Sequence, residues 1–246
     1  MYSKIILFIL LPIFGFSQYL TPRTIYLRDY ATNNTGTAHG NQQSFTTTAT
    51  SQTVTDIDGN IYNTVQIGTQ VWFSENLKTS RYRNGGLIPF VISNTAWRSL
   101  TSGAWTYYDH LAANNVIHGK LYNWYTTQGD TLCPTNWRIP NEEDWTTLTT
   151  YLGGQSVAGG KLKFAGTAYW NSPNTGATNE SGFSALPSGY LLNGSFRYIR
   201  NLVYFWSTTQ YSYFSAYDRH LNYYLASLNR GIVNKADGLS IRCLKD

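Results

Sequence analysis

The chain has 246 residues and a formal net charge of +5, and 42% of its residues are hydrophobic, 16% aromatic and only 13% charged. This aromatic content excludes an intrinsically disordered chain, and two cysteines are too few for a disulfide-rich miniprotein. The 18 Lys and Arg residues are scattered, whereas nucleic-acid binding requires a basic stripe, so we expect no nucleic-acid partner.

The N-terminus has the pattern of an export signal. Lys4 precedes an apolar run of 12 residues at 5–16, which is shorter than the roughly 20 residues of a membrane-spanning helix. No later apolar stretch predicts a membrane span. We therefore expect a signal peptide at 1–18, an N-terminal arm at 19–53 and a globular domain at 54–246. The mature protein is expected to be periplasmic, on the outer surface or extracellular.

The N-terminal arm is predicted to be flexible or extended. Segment 32–52 has almost no apolar side chains, so it cannot bury enough surface to offset the entropy of ordering. Tyr26, Leu27 and Tyr30 precede this segment. They leave a short strand or a docking peptide open as an alternative to an exposed linker.

The domain is predicted to begin with a turn and a β-hairpin. Asp56, Asp58 and Asn60 have the spacing that opens a calcium loop, but the twelfth position is Ile67 instead of Glu. Side chains that stabilise their own turn are therefore the better interpretation. Apolar residues with a period of two follow, and Gly68 divides them into two strands.

Two helices are predicted in the middle of the domain. Segment 111–127 has a helical apolar pattern, and 142–152 begins at the N-cap residue Asn141 with acidic residues in its first turn. From Gly159 onward the sequence predicts short strands and loops, ending in a strand at 239–244. Two early helices and several late antiparallel strands predict the α+β class.

Cys133 and Cys243 are predicted to form a disulfide. They are 110 residues apart, and an exported chain with two cysteines favours one disulfide. Two free thiols and a copper or zinc site remain the alternatives.

Several segments of the domain resemble one protein family. They are 67–77 (IGTQVWFSENL), 119–125 (GKLYNWY), 133–140 (CPTNWRIP), 176–187 (GATNESGFSALP), 205–209 (FWSTT) and 240–243 (SIRC). In this order they resemble the Fibrobacter succinogenes major paralogous domain, a family of exported proteins common in Bacteroidetes-type bacteria. The resemblance covers the chain from about residue 54 to residue 246.

The family is in turn similar to the C-type lectin-like fold and to the formylglycine-generating enzymes built on it. The resemblance implies two helices, long loops and a twisted antiparallel sheet whose N- and C-terminal strands lie close together. It also implies that the Cys133–Cys243 bridge ties the helical half to the last strand. Trp137, Trp145 and Trp206 are implied to be core residues.

The catalytic and metal-binding features of these relatives are not found in the sequence. Formylglycine-generating enzymes hold copper with two nearby thiols, whereas only Cys243 lies in the C-terminal third here. The calcium-binding tripeptides of C-type lectins and the GxSxG motif of serine hydrolases do not occur. We therefore expect no catalytic residue, metal or other cofactor, and a protein that is not an enzyme.

The candidate binding residues lie between Tyr190 and Asn234, where tyrosines are interleaved with asparagines and arginines. Tyrosine provides a large amphipathic contact area, and asparagine provides adaptable hydrogen bonds. The predicted ligand-binding residues are Tyr211, Tyr213, Tyr217, Arg219, Asn222, Tyr223, Tyr224, Asn229 and Arg230. We expect Tyr217, Tyr223 and Tyr224 to be partly exposed on one surface. The alternative is that tyrosines only cover a surface where charge is scarce.

The predicted function is a secreted recognition module that binds a glycan or a protein at the cell surface or in the envelope. A second hypothesis is a structural or accessory subunit of a larger envelope assembly, docked by its N-terminal arm. An oxidase related to the formylglycine-generating enzymes is the third.

Overall fold

The computed structural model describes residues 23–27, 30–33, 35–39, 43–47, 52–129 and 131–246, and the chain divides between Ser51 and Gln52 into two units. The predicted signal peptide lies outside the described residues. The N-terminal unit contains two antiparallel strand pairs: β1 (Arg23–Leu27) with β4 (Gln43–Thr47), and β2 (Tyr30–Asn33) with β3 (Gly36–His39). The described part of the predicted arm is thus extended, in keeping with the strand preference of its many threonines.

The C-terminal unit contains a five-stranded antiparallel sheet in the order β10-β16-β7-β6-β5. Its strands are β5 (Thr53–Thr55), β6 (Ile61–Ile67), β7 (Gln70–Phe73), β10 (Trp137–Arg138) and β16 (Leu244–Lys245). The last strand therefore lies beside an early one, as the resemblance implied.

A second, three-stranded antiparallel sheet has the order β13-β14-β15. Its strands are β13 (Leu202–Gln210), β14 (Ser215–Asn222) and β15 (Leu228–Asn234). Two short pairs complete the strands: β8 (Trp105–Thr106) with β9 (Leu121–Tyr122), and β11 (Tyr190–Leu192) with β12 (Ser195–Arg197).

The described residues contain four α-helices and two 3-10 helices. The α-helices are α1 (Asn94–Trp97), α2 (Ala113–His118), α3 (Glu142–Tyr151) and α4 (Gln155–Leu162); the 3-10 helices span Tyr108–His110 and Trp124–Thr127. Helices combined with antiparallel sheets are compatible with the predicted α+β class.

Helix α3 confirms the predicted helix because its signals are local. Asn141 accepts a hydrogen bond from the Asp144 N–H while the Asp144 side chain accepts from the Asn141 N–H, forming a capping box. Gly153 and Gly154 follow with positive φ angles of 97° and 98°, which glycine adopts without strain.

The prediction of one helix over 111–127 is wrong. Helix α2 ends at His118 because Gly119 has a φ of 72° and lies against the backbone of Asn76 and Leu77. The chain then enters β9, which pairs with β8. Of the apolar residues that suggested a longer helix, Leu121 and Trp124 are buried from this strand and the 3-10 helix that follows it, whereas Val116 of α2 is exposed.

The prediction of strands and loops from Gly159 onward missed helix α4. Two glycines lower the helix propensity of this segment by about 1 kcal/mol each. Tertiary packing requires glycine at both positions. A Cβ at Gly159 would lie 2.1 Å from the Ser227 carbonyl oxygen, and a Cβ at Gly160 would lie 2.3 Å from the Gly176 carbonyl oxygen. The helix packs too closely on two turns to accept a side chain.

The predicted turn and hairpin at the start of the domain are confirmed. The Asp56 carboxylate accepts hydrogen bonds from the backbone N–H groups of Asp58 and Asn60, so it stabilises its own turn. Strands β6 and β7 pair across Gly68, whose φ is 62°.

The last predicted strand is shorter than expected, since only its final residue, Leu244, belongs to β16. The predicted inward residues Leu239, Ile241 and Cys243 are buried, but so are Ser240 and Arg242 between them. This segment crosses the interior and is covered on both faces, which apolar alternation alone did not predict.

Aromatic side chains dominate the core of the C-terminal unit. Trp137 and Trp206 pack in one buried cluster, and Trp145 packs with Phe205 in another, so the predicted core positions of all three tryptophans are confirmed. The Cys133–Cys243 disulfide is present in the first cluster. It joins the segment before β10 to the segment before β16.

Candidate functional site

One face of the three-stranded sheet carries a row of polar aromatic and amide side chains. Tyr204 of β13 lies directly opposite His220 of β14, which lies opposite Asn229 of β15, so the three side chains share a face. The rings of Tyr204 and His220 stack with centroids 4.5 Å apart. The opposite face of the sheet packs Phe205 and Leu221 into the core beneath α3 and α4.

The turn after β14 forms one wall of the site and is held by a buried lysine. The Lys163 ammonium donates to the carbonyl oxygens of Asn222 at 3.0 Å, Leu225 at 2.8 Å and Thr175 at 2.9 Å. Burial lowers the pKa of Lys163 to about 8. This ammonium fixes the backbone of the turn that carries Tyr223 and Tyr224.

The β11–β12 hairpin and the segment after it supply the other wall. The ring of Tyr190 lies 4.4 Å from that of Tyr204 and 6.1 Å from that of Tyr198, so aromatic rings continue from the sheet onto the hairpin. Burial is the main cause that raises the pKa values of Tyr190 and Tyr204. Both hydroxyls therefore stay protonated at neutral pH and can donate hydrogen bonds.

Together these elements enclose a cleft of about 660 Å³, which we call the tyrosine cleft. Its aromatic part consists of Tyr190, Tyr198, Tyr204, Tyr223 and Tyr224. Its polar part consists of Asn201, Asn222, Asn229 and His220, and Leu202 and Leu225 complete the lining. No Asp, Glu, Lys or Arg is among these residues, so the described lining has neither an acidic residue nor a lysine or arginine.

A buried carboxylate lies behind the imidazole. The Asp218 Oδ1 atom is 2.8 Å from His220 Nδ1, and Asp218 is fully buried. Burial is the main cause that raises the pKa of Asp218, although the contact with His220 opposes this. The other oxygen, Oδ2, has no hydrogen-bond partner among the described residues and lies over Gly231, where a Cβ would be 2.4 Å away.

Four of the nine predicted binding residues line the tyrosine cleft: Asn222, Tyr223, Tyr224 and Asn229. The other five do not line it. Tyr217 lies on the opposite face of β14, where the Arg230 guanidinium stacks 4.0 Å from the centre of its ring. Tyr217 and Tyr223 are half-buried and Tyr224 is exposed, but the expectation that all three share one surface is wrong.

Arg219 differs most from its predicted role as an exposed binding residue. Only 5% of it is exposed, and its guanidinium donates to both carboxylate oxygens of Glu142 at 2.9 Å. Arg230 bonds the same carboxylate. Strand alternation places Arg219 on the face that α3 covers, so this arginine joins the sheet to the helix.

Tyr211 and Tyr213 lie in the turn between β13 and β14, together with Phe214. These three side chains, which we call the aromatic tip, are 56%, 79% and 66% exposed. Lys235 anchors the turn, because its ammonium donates to the Tyr213 carbonyl oxygen at 3.0 Å and to the Gln210 side chain at 2.8 Å.

Sequence reasoning missed several lining residues: Tyr190, Tyr198, Asn201, Leu202, Tyr204, His220 and Leu225. All lie in the same tyrosine- and asparagine-rich segment, so its composition did carry a signal. Strand register decides which of them converge, and composition does not contain the register.

Comparison with known proteins identifies the family. The sequence profile of the Fibrobacter succinogenes major domain matches residues 65–245. The chain belongs to this family. No curated protein and no solved structure matches it. Among the described residues, no helix is long and apolar enough to cross a membrane, and no group of three or more His, Cys, Asp or Glu side chains is placed to hold a metal ion.

Proposed function

We propose that this member of the family is a recognition module that binds an uncharged glycan in the tyrosine cleft. The observation that carries the proposal is the lining of five tyrosines and three asparagines without a Lys, Arg, Asp or Glu. Tyrosine rings cover the apolar C–H faces of a sugar, and each asparagine amide both donates to and accepts from hydroxyl groups.

The lack of charged walls favours an uncharged ligand. A carboxylate or ammonium group of a ligand loses its hydration on entering such a cleft, and that loss is costly without an opposite charge. Sugar hydroxyls lose less hydration free energy than charged groups do, and they form new hydrogen bonds with the asparagine amides. The volume of about 660 Å³ lies in the usual range for small-molecule sites.

The proposal also includes a C-type lectin-like fold, export from the cell and a non-catalytic role. Family membership and the position of β16 beside β7 support the fold. The apolar run at 5–16 supports export. The disulfide leaves Cys133 and Cys243 without the free thiols that a copper oxidase of the formylglycine-generating type needs.

The test is glycan binding by the protein without residues 1–18. We expect titration calorimetry to detect binding of at least one of mannohexaose, cellohexaose and xylohexaose. Tyr223→Ala removes one aromatic wall of the cleft and is expected to weaken that binding about tenfold. Tyr213→Ala is the matched control, since it removes an exposed tyrosine outside the cleft. Absence of binding, or equal losses in both variants, would contradict the proposal.

A second candidate function is membership of an envelope assembly through a protein contact. The exposed and anchored aromatic tip favours it, because exposed aromatic groups on a rigid turn are typical of protein interfaces. A photo-crosslinking residue in place of Tyr213 is then expected to capture one defined protein in intact cells. The same residue in place of Tyr151, which is 51% exposed on α3, is the control. Identical products at both positions would argue against a specific contact.

A further inference from the structure

The imidazole in the tyrosine cleft is held in one orientation by two contacts. Its Nδ1 atom is 2.8 Å from the buried Asp218 Oδ1, and its ring is stacked on Tyr204 at an interplanar angle of 18°. The side chain of His220 is 22% exposed, and its Nε2 atom makes no hydrogen bond within the described part of the chain. Nε2 is therefore the ring atom left for a ligand.

The proton on a histidine ring is placed by the hydrogen bond that the other nitrogen makes. A carboxylate beside Nδ1 accepts a hydrogen bond from the N–H at Nδ1, and an imidazole with its single proton there carries a lone pair at Nε2. We propose that Asp218 is a positioning residue that makes His220 Nε2 a hydrogen-bond acceptor, so that the tyrosine cleft selects ligands that donate a hydroxyl proton there. This inference rests on the proposed function and narrows its ligand class.

Asp218→Asn is expected to move the proton of the His220 ring from Nδ1 to Nε2. The Oδ2 position tolerates an oxygen without a partner, and an unpaired buried N–H is rarer than an unpaired carbonyl oxygen. The amide is therefore expected to leave its oxygen at that position and to donate its N–H to Nδ1. The ring proton then moves to Nε2, which becomes a donor and can no longer accept a hydrogen bond from a ligand hydroxyl.

The first readout is the nitrogen chemical shifts of the histidine rings by NMR, which report which nitrogen carries the proton. We expect His220 to be protonated at Nδ1 in the wild type and at Nε2 in Asp218→Asn. His110 is an internal control in both spectra. Its Nε2 lies 3.1 Å from the Asn94 side-chain oxygen, so it is expected to carry its proton at Nε2 in both proteins.

The second readout is binding of mannohexaose, cellohexaose and xylohexaose and of their per-O-methylated forms. Asp218→Asn is expected to weaken binding of the free sugars about tenfold. The methylated forms have ether oxygens that accept but no hydroxyl that donates, so they are expected to bind the variant at least as well as the wild type. A wild-type His220 that carries its proton at Nε2 would overturn the inference. So would a variant in which the proton moves to Nε2 but sugar binding is unchanged. Both outcomes leave the proposed glycan binding intact. If no free sugar binds the wild type, the proposed function and the ligand selection both fail, and the NMR result alone decides the role of Asp218. The wild-type spectrum tests that role even if the variant does not fold.

Discussion

Among the described residues, most of the buried lysine and arginine side chains donate hydrogen bonds to backbone carbonyl oxygens. The sequence has 18 Lys and Arg residues against 13 Asp and Glu, so acids are too few to pair with every base. Lys163 bonds three carbonyls, and the fully buried Arg242 donates to those of Phe73 and Phe183 and to the Asn76 side chain. Each cation thereby joins segments that are distant in sequence.

Lys163→Met tests this arrangement at the tyrosine cleft. The variant removes the ammonium that donates to three backbone carbonyl oxygens, and we expect it to lower the free energy of unfolding by about 3 kcal/mol and to weaken glycan binding. Lys161→Met, in the last turn of α4 just before Lys163, is the control, because the Lys161–Glu180 pair is partly exposed and is worth less than about 1 kcal/mol. Urea denaturation measures both. Equal effects would mean that the ammonium does not hold the turn.

Buried His118 gives the protein an acid-sensitive residue. Burial lowers its pKa from 6.5 to about 4, so between these values the unfolded chain binds more protons and stability falls as the pH falls. We expect His118→Phe to remove a loss of about 2 kcal/mol between pH 7 and pH 4.5, measured by urea denaturation at both values.

Val116→Phe on the same helix retains the histidine and is expected to keep the wild-type pH dependence. Burial raises the pKa of Asp237 to about 6, which acts in the opposite sense but is common to all three proteins. An unchanged difference between the two pH values in His118→Phe would contradict the assignment.

At the scale of elements, the sequence predicts what local signals determine. The capping box and terminal glycines of α3 lie within the helix and its flanks, and that helix was predicted. Helix α4 was missed because its glycines are required by close contacts with the backbone of Ser227 and Gly176, which are distant in sequence. The predicted helix over 111–127 is wrong for the same reason. The pairing of β9 with β8, which the local sequence does not contain, interrupts the helical pattern of apolar residues.

Gly159→Ala tests whether local helix propensity or the close contact with Ser227 dominates in α4. Alanine has the higher helix propensity by about 1 kcal/mol, yet its Cβ would lie 2.1 Å from the Ser227 carbonyl oxygen. We expect a net loss of about 2 kcal/mol in thermal unfolding experiments. Ser156→Ala, at an exposed position of the same helix, is expected to be neutral or stabilising. A stabilised Gly159→Ala would show that the turn moves away at little cost.

At the scale of the molecule, the disulfide and the family could be predicted from the sequence, whereas the site could be predicted only in part. Asn222, Tyr223, Tyr224 and Asn229 were found by composition. The remaining walls depend on the register of β13 with β14 and on the β11–β12 hairpin. Composition alone also placed Arg219 at the surface, although a helix covers it.

Removal of the disulfide is expected to lower stability without altering the cleft. Cys133 and Cys243 close a loop of 110 residues, and the chain-entropy relation gives about 5 kcal/mol for such a loop. We expect the Cys133→Ala/Cys243→Ala variant to unfold at lower temperature and to bind glycan as the wild type does below that temperature. A reductant should lower the wild-type midpoint alone. Two titratable thiols in the untreated wild-type protein would contradict the bridge.

The position of β16 has a consequence for protein synthesis. Leu244–Lys245 fills the gap between β7 and β10, two strands that leave the ribosome much earlier. Until this segment arrives, a nascent chain has two unpaired strand edges, and Cys133 has no partner. A translation product that stops before Cys243 lacks both the strand pairing by β16 and the disulfide. We therefore expect proteases to degrade such truncated chains faster than chains that contain β16.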